Sequence, residues 1–261
     1  MEEYLILRKV SCTAHFQPYN MSSITSILAR SMDISMELEN KVVLVVGTGI
    51  SGIAATDLLQ KAKANIILFD SNVELDVEEV SRRIGNVERV NIVTGELTEE
   101  IIATLDLMII SPGVPTDLPF VNKIRDIGVP IWGEIELAYQ FEKGRVAAIT
   151  GTNGKTTTTA LTGAIMKTYY ENVFVVGNIG IPYTNVVAQT TKDSVTVAEM
   201  SSFQLETIQK FRPAVSAILN ITPDHLNRHH TMENYIEAKV NITKNQTPYD
   251  TCVLNYAVSY T

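Results

Sequence analysis

The sequence predicts an α/β protein built on parallel sheets, and three features of the 261-residue chain lead to that prediction. Short apolar runs of strand length alternate with helical segments from Lys41 onwards. Two of these runs are followed by glycine-rich loops, Gly47–Gly52 and Gly151–Thr157, and each loop opens a helix. Hydrophobic residues make up 45% of the chain, so helices can cover such sheets with a sizeable core.

The composition argues against several classes of partner. The formal net charge is −8, so the chain offers no basic face for nucleic acid or anionic lipid. No apolar run is long enough to cross a membrane, and Tyr4–Leu7 is too short for a signal peptide. The two cysteines, Cys12 and Cys252, match no metal or redox spacing and suit a reducing cytosol. We therefore expect a soluble cytoplasmic monomer without nucleic-acid or membrane partners.

Residues 1–35 differ from the rest of the chain because they carry no sustained periodicity. The pattern changes at Met36, where polar residues lead into the first apolar run. We expect residues 1–35 to be a tail or a misassigned start, with the natural start at Met36 or Met32. An N-terminal regulatory segment is the alternative.

The first half of the chain reads as strand and helix in alternation. Predicted strands are Val42–Val46, Asn65–Asp70, Leu105–Ser111 and a short one near Pro130–Trp132, and predicted helices are Ile53–Lys61 and Val121–Ile127. Such alternation favours a parallel sheet with covering helices. Lys143-Gly144-Arg145 marks a boundary, because a new strand–loop–helix unit starts directly after it. A Rossmann-like domain is therefore predicted for residues 36–144.

The second half continues the same alternation. Predicted strands are Val146–Thr150, Val173–Val176, Ser194–Glu199, Val215–Asn220 and Thr251–Leu254, and a helix is predicted from Lys155 to about Thr168. The last of these strands stops close to the end of the chain. Residues 145–261 are therefore predicted to form a second α/β domain.

The loop after the strand Val146–Thr150 has the composition of a phosphate-binding loop, Gly151-Thr152-Asn153-Gly154-Lys155-Thr156-Thr157. Glycines let backbone N–H groups converge on phosphate oxygens, and the helix N-terminus adds its dipole. Lys155 would reach the β- and γ-phosphates of ATP, and the Thr156 hydroxyl would bind Mg²⁺. Ile149 replaces the usual first glycine, so the loop is a shorter P-loop variant and the domain resembles P-loop ATPases. A plain glycine turn is the alternative, but propensity disfavours the four threonines that start the helix.

The other glycine-rich loop, Gly47-Thr48-Gly49-Ile50-Ser51-Gly52, is predicted as a turn between the first strand and its helix. Asp70 ends the second strand at about the offset expected for an acid that binds a ribose. The pattern fits a dinucleotide, another nucleotide diphosphate, or a turn that only packs helix on strand. The kinase-like phosphate loop elsewhere in the chain makes a redox role less favoured. The residues alone leave the nucleotide undecided.

Charged residues downstream of the phosphate loop are candidates for metal binding. Glu199 ends a predicted strand, a usual position for a Mg²⁺-binding acid beside a phosphate loop, although a solvated strand-end acid is the alternative. Asp224 and His225 follow the next strand. The pair His229-His230 lacks further ligands at metal spacing and is interpreted as polar surface. Lys239 lies in the helical stretch Tyr235–Ile242, among Glu237, Ala238 and Val240, and, from the pattern alone, is expected to be exposed.

In combination and order, these motifs resemble the Mur ligase family over about Met36–Leu254. The matching segments, besides the two glycine-rich loops, are Ser111-Pro112-Gly113, Gly133–Leu137, Gly177–Gly180, Glu199–Glu206 and Asn220–His225. The string Ser201–Glu206 is similar to the corresponding segment of the family member that uses D-glutamate. The sibling ligases have a different sequence there.

The resemblance implies an ATP- and Mg²⁺-dependent, amide-forming reaction in peptidoglycan precursor synthesis. ATP would phosphorylate the alanine carboxylate of UDP-N-acetylmuramoyl-L-alanine, and the amine of D-glutamate would attack the acyl phosphate. By the same resemblance, ATP would be bound by Gly151, Thr152, Asn153, Gly154, Lys155, Thr156 and Thr157. The muramoyl nucleotide would contact Gly47, Gly49, Ile50, Ser51, Asp70, Ser71, Ser111, Asn178, Asp224 and His225. The metal ligands would be Thr156, Glu199, His225 and Lys239, and the catalytic residues Lys155, His225 and Lys239. Lys239 falls where the family has a lysine carboxylated by CO₂.

The family has three domains, and the resemblance ends inside the second. We expect the rest of the ATP-binding domain and the C-terminal domain, which contacts adenine and D-glutamate, to be absent. We therefore expect an exposed sheet edge and a poor or inactive ligase. The alternatives are a non-catalytic nucleotide-binding relative, a sibling ligase acting on folate or another muramoyl peptide, and an NAD-dependent oxidoreductase.

Overall fold

The computed structural model describes residues 34–178 and 180–255, so most of the predicted tail lies outside the described residues. Residues 34–38 are helical, and the side chains of Ile34 and Leu38 are buried in the core. The predicted boundary of the tail at residue 35 is therefore wrong, because Ile34 already belongs to the packed fold.

The first half of the chain forms a five-stranded parallel sheet. Its strands are β1 Val42–Val46, β2 Asn65–Asp70, β3 Val90–Thr94, β4 Leu107–Ile110 and β5 Ile131–Gly133. Its helices are α1 Ile50–Lys61, α2 Val77–Ile84, α3 Glu99–Ile102, α4 Pro119–Asp126 and α5 Glu134–Phe141. The strand order is β3-β2-β1-β4-β5, so the direction of winding reverses between β1 and β4. Open α/β sheets bind ligands at the carboxyl ends of strands beside such a reversal.

The second half forms another five-stranded parallel sheet. Its strands are β6 Arg145–Thr150, β7 Val173–Gly177, β8 Val195–Glu199, β9 Val215–Ile218 and β10 Thr251–Leu254. Its helices are α6 Lys155–Met166, α7 Tyr183–Val186, α8 Ser202–Leu205, α9 Leu226–His229 and α10 Met232–Val240, with 3₁₀ turns at Val187–Gln189 and Asn241–Thr243. The order is β10-β9-β6-β8-β7, so β6 lies at the centre. Within the described residues, no helix combines the length and apolarity needed to cross a bilayer.

The predicted α/β class is confirmed, and each predicted strand coincides with a strand of one of the two sheets. Helix α1 begins at Ile50 and not at Ile53, because Gly49 is extended and occupies the N-cap position, where it has no side chain to cap the first N–H groups. Seven of the labelled elements have no counterpart among the predictions: α2, β3, α3, α5, α7, α8 and α9. Helix α5 shows no apolar face in the sequence because Glu134 and Glu136 occupy buried positions on it.

One continuous hydrophobic core lies between the two sheets. It includes Val43 and Ile66 from the first sheet and Val146, Ala198 and Ile218 from the second. The helices α1, α5 and α7 contact one another in this region. The opposite face of the second sheet carries a much smaller buried cluster. The two sheets are therefore held together by a shared apolar layer.

A fully buried carboxylate also joins the two halves. Glu136 on α5 accepts hydrogen bonds from the backbone N–H groups of Gln209, Lys210 and Phe211, at 2.8, 2.9 and 2.9 Å. Successive N–H groups that converge in this way form a favourable site for an anion. They compensate for the loss of hydration that the charge suffers on burial.

Two further buried acids make similar contacts across the same boundary. Glu134 accepts hydrogen bonds from the N–H and the hydroxyl of Thr184 at 2.7 and 2.8 Å. Glu142 accepts from the hydroxyls of Tyr183 and Thr196 at 2.6 and 2.8 Å. Burial raises the pKa of the Glu134 carboxyl, and burial together with the Glu142 charge raises the pKa of Tyr183. The acids of α5 thus fix the first sheet to the second through polar as well as apolar contacts.

The first prediction concerns Glu136. In Glu136→Gln, the charge is lost and an amide NH₂ group replaces one of the two acceptor oxygens that face the three N–H groups. We expect the free energy of unfolding to fall by about 3 kcal/mol, measured by urea denaturation. The matched control is Glu88→Gln, which changes an exposed acid and should alter the stability little. Equal stabilities of the two variants would contradict the account.

Candidate functional site

The loop between β6 and α6 has a backbone that only glycine adopts readily. Gly151 and Gly154 have φ angles of +154° and +81°. A Cβ atom on Gly151 would lie 3.0 Å from the Cβ atom of Leu219. Helix α6 begins at Lys155 without a side-chain cap on its first N–H groups. These N–H groups are therefore available to an anion at the helix N-terminus.

The segment after β9 holds this loop in place. Asn220 accepts a hydrogen bond from the N–H of Asn153 at 2.8 Å and donates to the carbonyl oxygen of Asn153 at 2.9 Å. The hydroxyl of Thr152 accepts from the N–H of Thr222 at 3.0 Å and lies 3.1 Å from the hydroxyl of Tyr235. No local pattern in the sequence indicates these roles of Asn220, Thr222 and Tyr235, because their partners lie 67, 70 and 83 residues earlier.

Two lysines share one acceptor inside the loop. Lys155 Nζ donates to the carbonyl oxygens of Gly151 and Thr152, both at 2.9 Å. Lys239 Nζ donates to the same Gly151 oxygen at 2.8 Å and lies 4.7 Å from the centre of the Tyr235 ring. The expectation that Lys239 is exposed is wrong, since only 2% of its surface is accessible. Burial, and then the like charge of Lys155, lower the pKa of Lys239 from 10.5 to about 8.

Glu199 lies at the carboxyl end of β8, as predicted. The strand register places it beside Ile149 of β6 and Gly177 of β7. Its carboxylate is 2% exposed and accepts a hydrogen bond from Asn178 at 3.2 Å. Among the residues that the structure describes, no cation lies within ion-pair distance of it. A Cβ atom on Gly177 would lie 2.1 Å from the Glu199 carbonyl oxygen, so only glycine permits this close approach.

Asp224 and His225 lie at the exit of β9, as predicted, and both are exposed. The Asp224 carboxylate accepts from the N–H of His225 at 2.9 Å, and its other oxygen lies 3.4 Å from His225 Nε2. The Asp224 charge raises the pKa of Lys239 and so opposes the effect of burial. These two residues therefore belong to the same cluster as Lys239 and the phosphate loop.

The interpretation of His229 as polar surface is wrong. The residue is 5% exposed, and its Nε2 atom lies 2.9 Å from the Ser202 hydroxyl. Its Nδ1 atom lies 3.4 Å from Glu206, and its ring stacks on Phe203. Burial, and then the positive charge of Arg228, lower the pKa of His229. Its neighbour His230 is exposed, as expected.

The loop after β1 is organised by Asp70. Its carboxylate accepts hydrogen bonds from the N–H and hydroxyl of Thr48 at 3.2 and 2.7 Å, and from the N–H of Asn72 at 3.1 Å. Burial raises the pKa of the Asp70 carboxyl, but these hydrogen bonds outweigh it and lower the pKa below its ordinary value. A Cβ atom on Gly52 would lie 1.8 Å from the Gly47 carbonyl oxygen. Asp70 therefore fixes the loop, and both of its oxygens already accept hydrogen bonds.

The remaining candidates in the first half surround this loop. No atom lies within 4 Å of a Cβ built on Gly49, and Ile50 is 70% exposed, so the start of α1 is open to a ligand. Ser71 is exposed beside Asp70. The Ser111 hydroxyl would lie 2.9 Å from a Cβ on Gly47, so the loops after β1 and β4 pack against each other.

The structure thus forms two groups of candidate residues, one at the carboxyl edge of each sheet. Arg228 connects them, since it lies three residues after His225 and donates to the carbonyl oxygen of Pro112, next to Ser111. Residues 34–178 and 180–255 contain no group of three His, Cys, Asp or Glu side chains that could hold a metal by themselves. A metal at the phosphate loop would therefore need oxygen ligands from Thr156 or from a bound phosphate.

Two protein-family models match the chain. A model described as the Mur ligase MurD-like N-terminal domain matches residues 41–133, and one described as the Mur ligase middle domain matches residues 149–261. The two matches cover the two sheets in turn.

Curated relatives match most of this chain. The UDP-N-acetylmuramoylalanine–D-glutamate ligase of Lachnoclostridium phytofermentans is 63% identical over 225 residues, which is 86% of this chain and 50% of the relative. The ligase of the same name from Lachnospira eligens is 58% identical over the same shares. This chain spans about half the length of these relatives. Their names give no support to the oxidoreductase alternative.

A solved structure has a similar fold. The murein peptide ligase Mpl from Psychrobacter arcticus matches with a TM-score of 0.50 and 14% identity, over 84% of this chain and 50% of that chain. At this identity the likeness concerns the fold alone.

The second prediction concerns the pH dependence of stability. The pKa of Lys239 is about 8 in the folded chain and 10.5 ordinarily, so between these values the unfolded chain binds more protons. The free energy of unfolding should therefore rise with pH from about 8 to 10.5, by on the order of 3 kcal/mol.

The measurement is urea denaturation across this pH range in CO₂-free buffer. Lys239→Met should abolish this component of the rise, whereas Lys167→Met, at an exposed position near the end of α6, should retain it. A rise that is the same in both variants would contradict the assignment to Lys239.

Proposed function

This chain belongs to the Mur ligase family, and on that basis we propose that it carries the nucleotide-binding part of a ligase that joins D-glutamate to UDP-N-acetylmuramoyl-L-alanine. The observation that carries the proposal is the phosphate loop, where Lys155 and the buried Lys239 converge on the Gly151 carbonyl oxygen. The Lys155 ammonium and the uncapped N-terminus of α6 form a site for a polyphosphate, and Lys239 lies directly beside it. The names of the curated relatives supply the two substrates.

ATP binds at this loop in the proposed reaction. The N–H groups of Gly154–Thr157 and the Lys155 ammonium bind the phosphates, with Lys155 leaving the loop carbonyls that it now contacts. The γ-phosphoryl group passes to the alanine carboxylate, which gives an acyl phosphate and ADP. The D-glutamate amine then attacks the acyl carbon, phosphate leaves, and an amide remains. The Lys155 ammonium stabilises the charge that develops on the transferred phosphoryl group.

The oxygen donors at the loop fit Mg²⁺. This ion prefers hard oxygen ligands and is often held by one or two carboxylates together with substrate phosphates. The Thr156 hydroxyl and the Glu199 carboxylate are such donors, and Glu199 is buried without a cationic partner among the described residues. When bound, Mg²⁺ would neutralise phosphate charge. The proposed set of metal ligands also includes His225, whose nitrogen is a softer donor, and Lys239.

Lys239 fits the role of a carboxylated lysine. With a pKa of about 8, roughly a tenth of the amine is unprotonated at pH 7, far more than for an ordinary lysine, and only the free amine adds to CO₂. The ammonium group first loses one proton, and the free amine then adds to CO₂, which forms an N–C bond and releases a second proton. Overall, a cation becomes a carbamate anion. A carbamate beside Lys155 would replace the repulsion between two ammonium groups with an attraction and would supply oxygen ligands to Mg²⁺.

The uridine diphosphate of the other substrate binds at the first loop. The uncapped N-terminus of α1 and the open space at Gly49 give its phosphates access to the backbone. Ser51, Ser71 and Ser111 lie around this position, and Asn178 lies beside Glu199, where it would meet the muramoyl end. We assign residues 36–144 to the domain that binds this nucleotide and residues from 145 onwards to the domain that binds ATP.

The third prediction concerns the nucleotide bound by the first loop. Isothermal titration of the purified chain with UDP-N-acetylmuramoyl-L-alanine should show saturable binding at one site. NAD⁺ should give no heat of binding, because the Asp70 oxygens that would bind its ribose already accept hydrogen bonds from Thr48 and Asn72. Binding of NAD⁺ without binding of the muramoyl nucleotide would overturn the proposal.

The fourth prediction concerns Lys239. In buffer that contains ¹³C-bicarbonate, the chain should show a carbamate carbonyl signal by ¹³C NMR, distinct from free bicarbonate. The signal should vanish in Lys239→Met and persist in Lys167→Met. A spectrum without a carbamate signal at pH 8, or one that Lys239→Met leaves unchanged, would refute the carboxylation of Lys239.

A further inference from the structure

Arg228 reaches from the second half of the chain to a loop of the first. Its Nη1 atom donates to the carbonyl oxygen of Pro112 at 3.1 Å, and its Nη2 atom donates to that of Val114 at 3.2 Å. Both acceptors lie in the loop after β4, more than 110 residues earlier. The two contacts use the planar fork of the guanidinium, which lysine cannot reproduce.

Two residues of the second half hold the guanidinium in this position. Glu206 accepts from Arg228 Nη2 at 3.1 Å, and the Phe203 ring lies 4.2 Å from the guanidinium carbon. The side chains of the ion pair are only 16% and 19% exposed, so solvent screens them weakly. Arg228, Glu206 and Phe203 are called the Arg228 cluster below.

The cluster lies between the two groups of candidate site residues. On one side, the loop that it holds contains Ser111, which packs against the Gly47 loop. On the other side, the ring of Phe203 lies 5.0 Å from that of His225, and Arg228 itself follows His225 by three residues. A single guanidinium therefore connects the loop proposed to bind the uridine nucleotide to the edge proposed to bind ATP.

We propose that Arg228 is a positioning residue that fixes the loop of residues 111–116, and with it the binding position of the uridine nucleotide, relative to the phosphate loop. The inference rests on the proposed function and adds a residue to it. Arg228 does not need to touch either nucleotide, because all its contacts are with protein carbonyl groups, a carboxylate and a ring. Reaction between a carboxylate and a phosphoryl group requires alignment within a few tenths of an ångström, which such a residue would secure.

The test is the effect of Arg228→Met on the two nucleotides separately. Methionine keeps an apolar contact with Phe203 but leaves the carbonyl oxygens of Pro112 and Val114 without their donor. We expect affinity for UDP-N-acetylmuramoyl-L-alanine to fall about tenfold, which corresponds to the loss of roughly one charged hydrogen bond. Affinity for a non-hydrolysable ATP analogue with Mg²⁺ should stay unchanged, since Asn220, Thr222 and Tyr235 hold the phosphate loop independently.

The matched control is Arg89→Met. Arg89 likewise donates to a carbonyl oxygen, that of Lys63, and to two asparagine side chains, but it lies at the opposite end of the first sheet. The Arg89→Met variant should bind the muramoyl nucleotide and the ATP analogue with unchanged affinity. If Arg228→Met and Arg89→Met bind the muramoyl nucleotide equally well, the inference is overturned. An equal fall in affinity for both nucleotides in Arg228→Met would also overturn the inference. Such a result would indicate that Arg228 only supports the structure in general.

Glu206→Gln provides a second and milder variant. It retains the guanidinium but removes the charge that orients it, so affinity for the muramoyl nucleotide alone should fall about threefold. The double variant, Arg228→Met with Glu206→Gln, should bind the muramoyl nucleotide no more weakly than Arg228→Met alone, because Glu206 acts through Arg228. Additive losses of affinity would contradict this. If Arg228→Met does not fold, an unchanged affinity in Glu206→Gln overturns the inference. Failure of the unaltered chain to bind the muramoyl nucleotide would instead overturn the proposed function, and the inference with it.

Discussion

The carbonyl oxygen of Gly151 accepts hydrogen bonds from two lysines, and the arrangement of the second sheet's edge follows from this shared contact. Two ammonium groups on one oxygen repel each other, and burial of Lys239 adds a desolvation cost. The protein offsets part of this cost with the Tyr235 ring and the charge of Asp224. A bound anion would relieve the part of this cost that remains. It would therefore bind here more strongly than at an exposed pair of lysines.

At the boundary between the sheets, the buried charged groups are carboxylates and not ammonium groups. Three carboxylates at α5 are buried, and hydrogen bonds from backbone N–H groups and hydroxyls of the second half satisfy them. These contacts do not involve cations, and among the residues that the structure describes Lys155 and Lys239 form no ion pair. Rigid attachment of the sheets also fixes the distance between their two carboxyl edges. A reaction between ligands bound at separate edges depends on that distance.

Local patterns in the sequence predicted a large part of this fold. The strands are short apolar runs, and the phosphate loop combines glycines, a lysine and threonines in consecutive positions. Tertiary contacts determined the rest. The burial of Lys239 depends on a loop 88 residues earlier, so its local helical context gave no sign of it, and a lysine is exposed by default. The contacts of His229 and Arg228 could not be predicted for the same reason. Their partners, Ser202 and the loop after β4, are distant in the sequence. Only the resemblance to the Mur ligases singled out Lys239 in advance.

The central claim is that two loops, one at the carboxyl edge of each sheet, bind two different nucleotides. It is tested most directly by equilibrium dialysis of the chain with UDP-N-acetylmuramoyl-L-alanine and an ATP analogue present together at saturating concentrations. The account predicts one equivalent of each nucleotide bound at the same time, with neither displacing the other. Competition, in which binding of one nucleotide releases the other, would show that the chain has a single nucleotide site and would contradict the account.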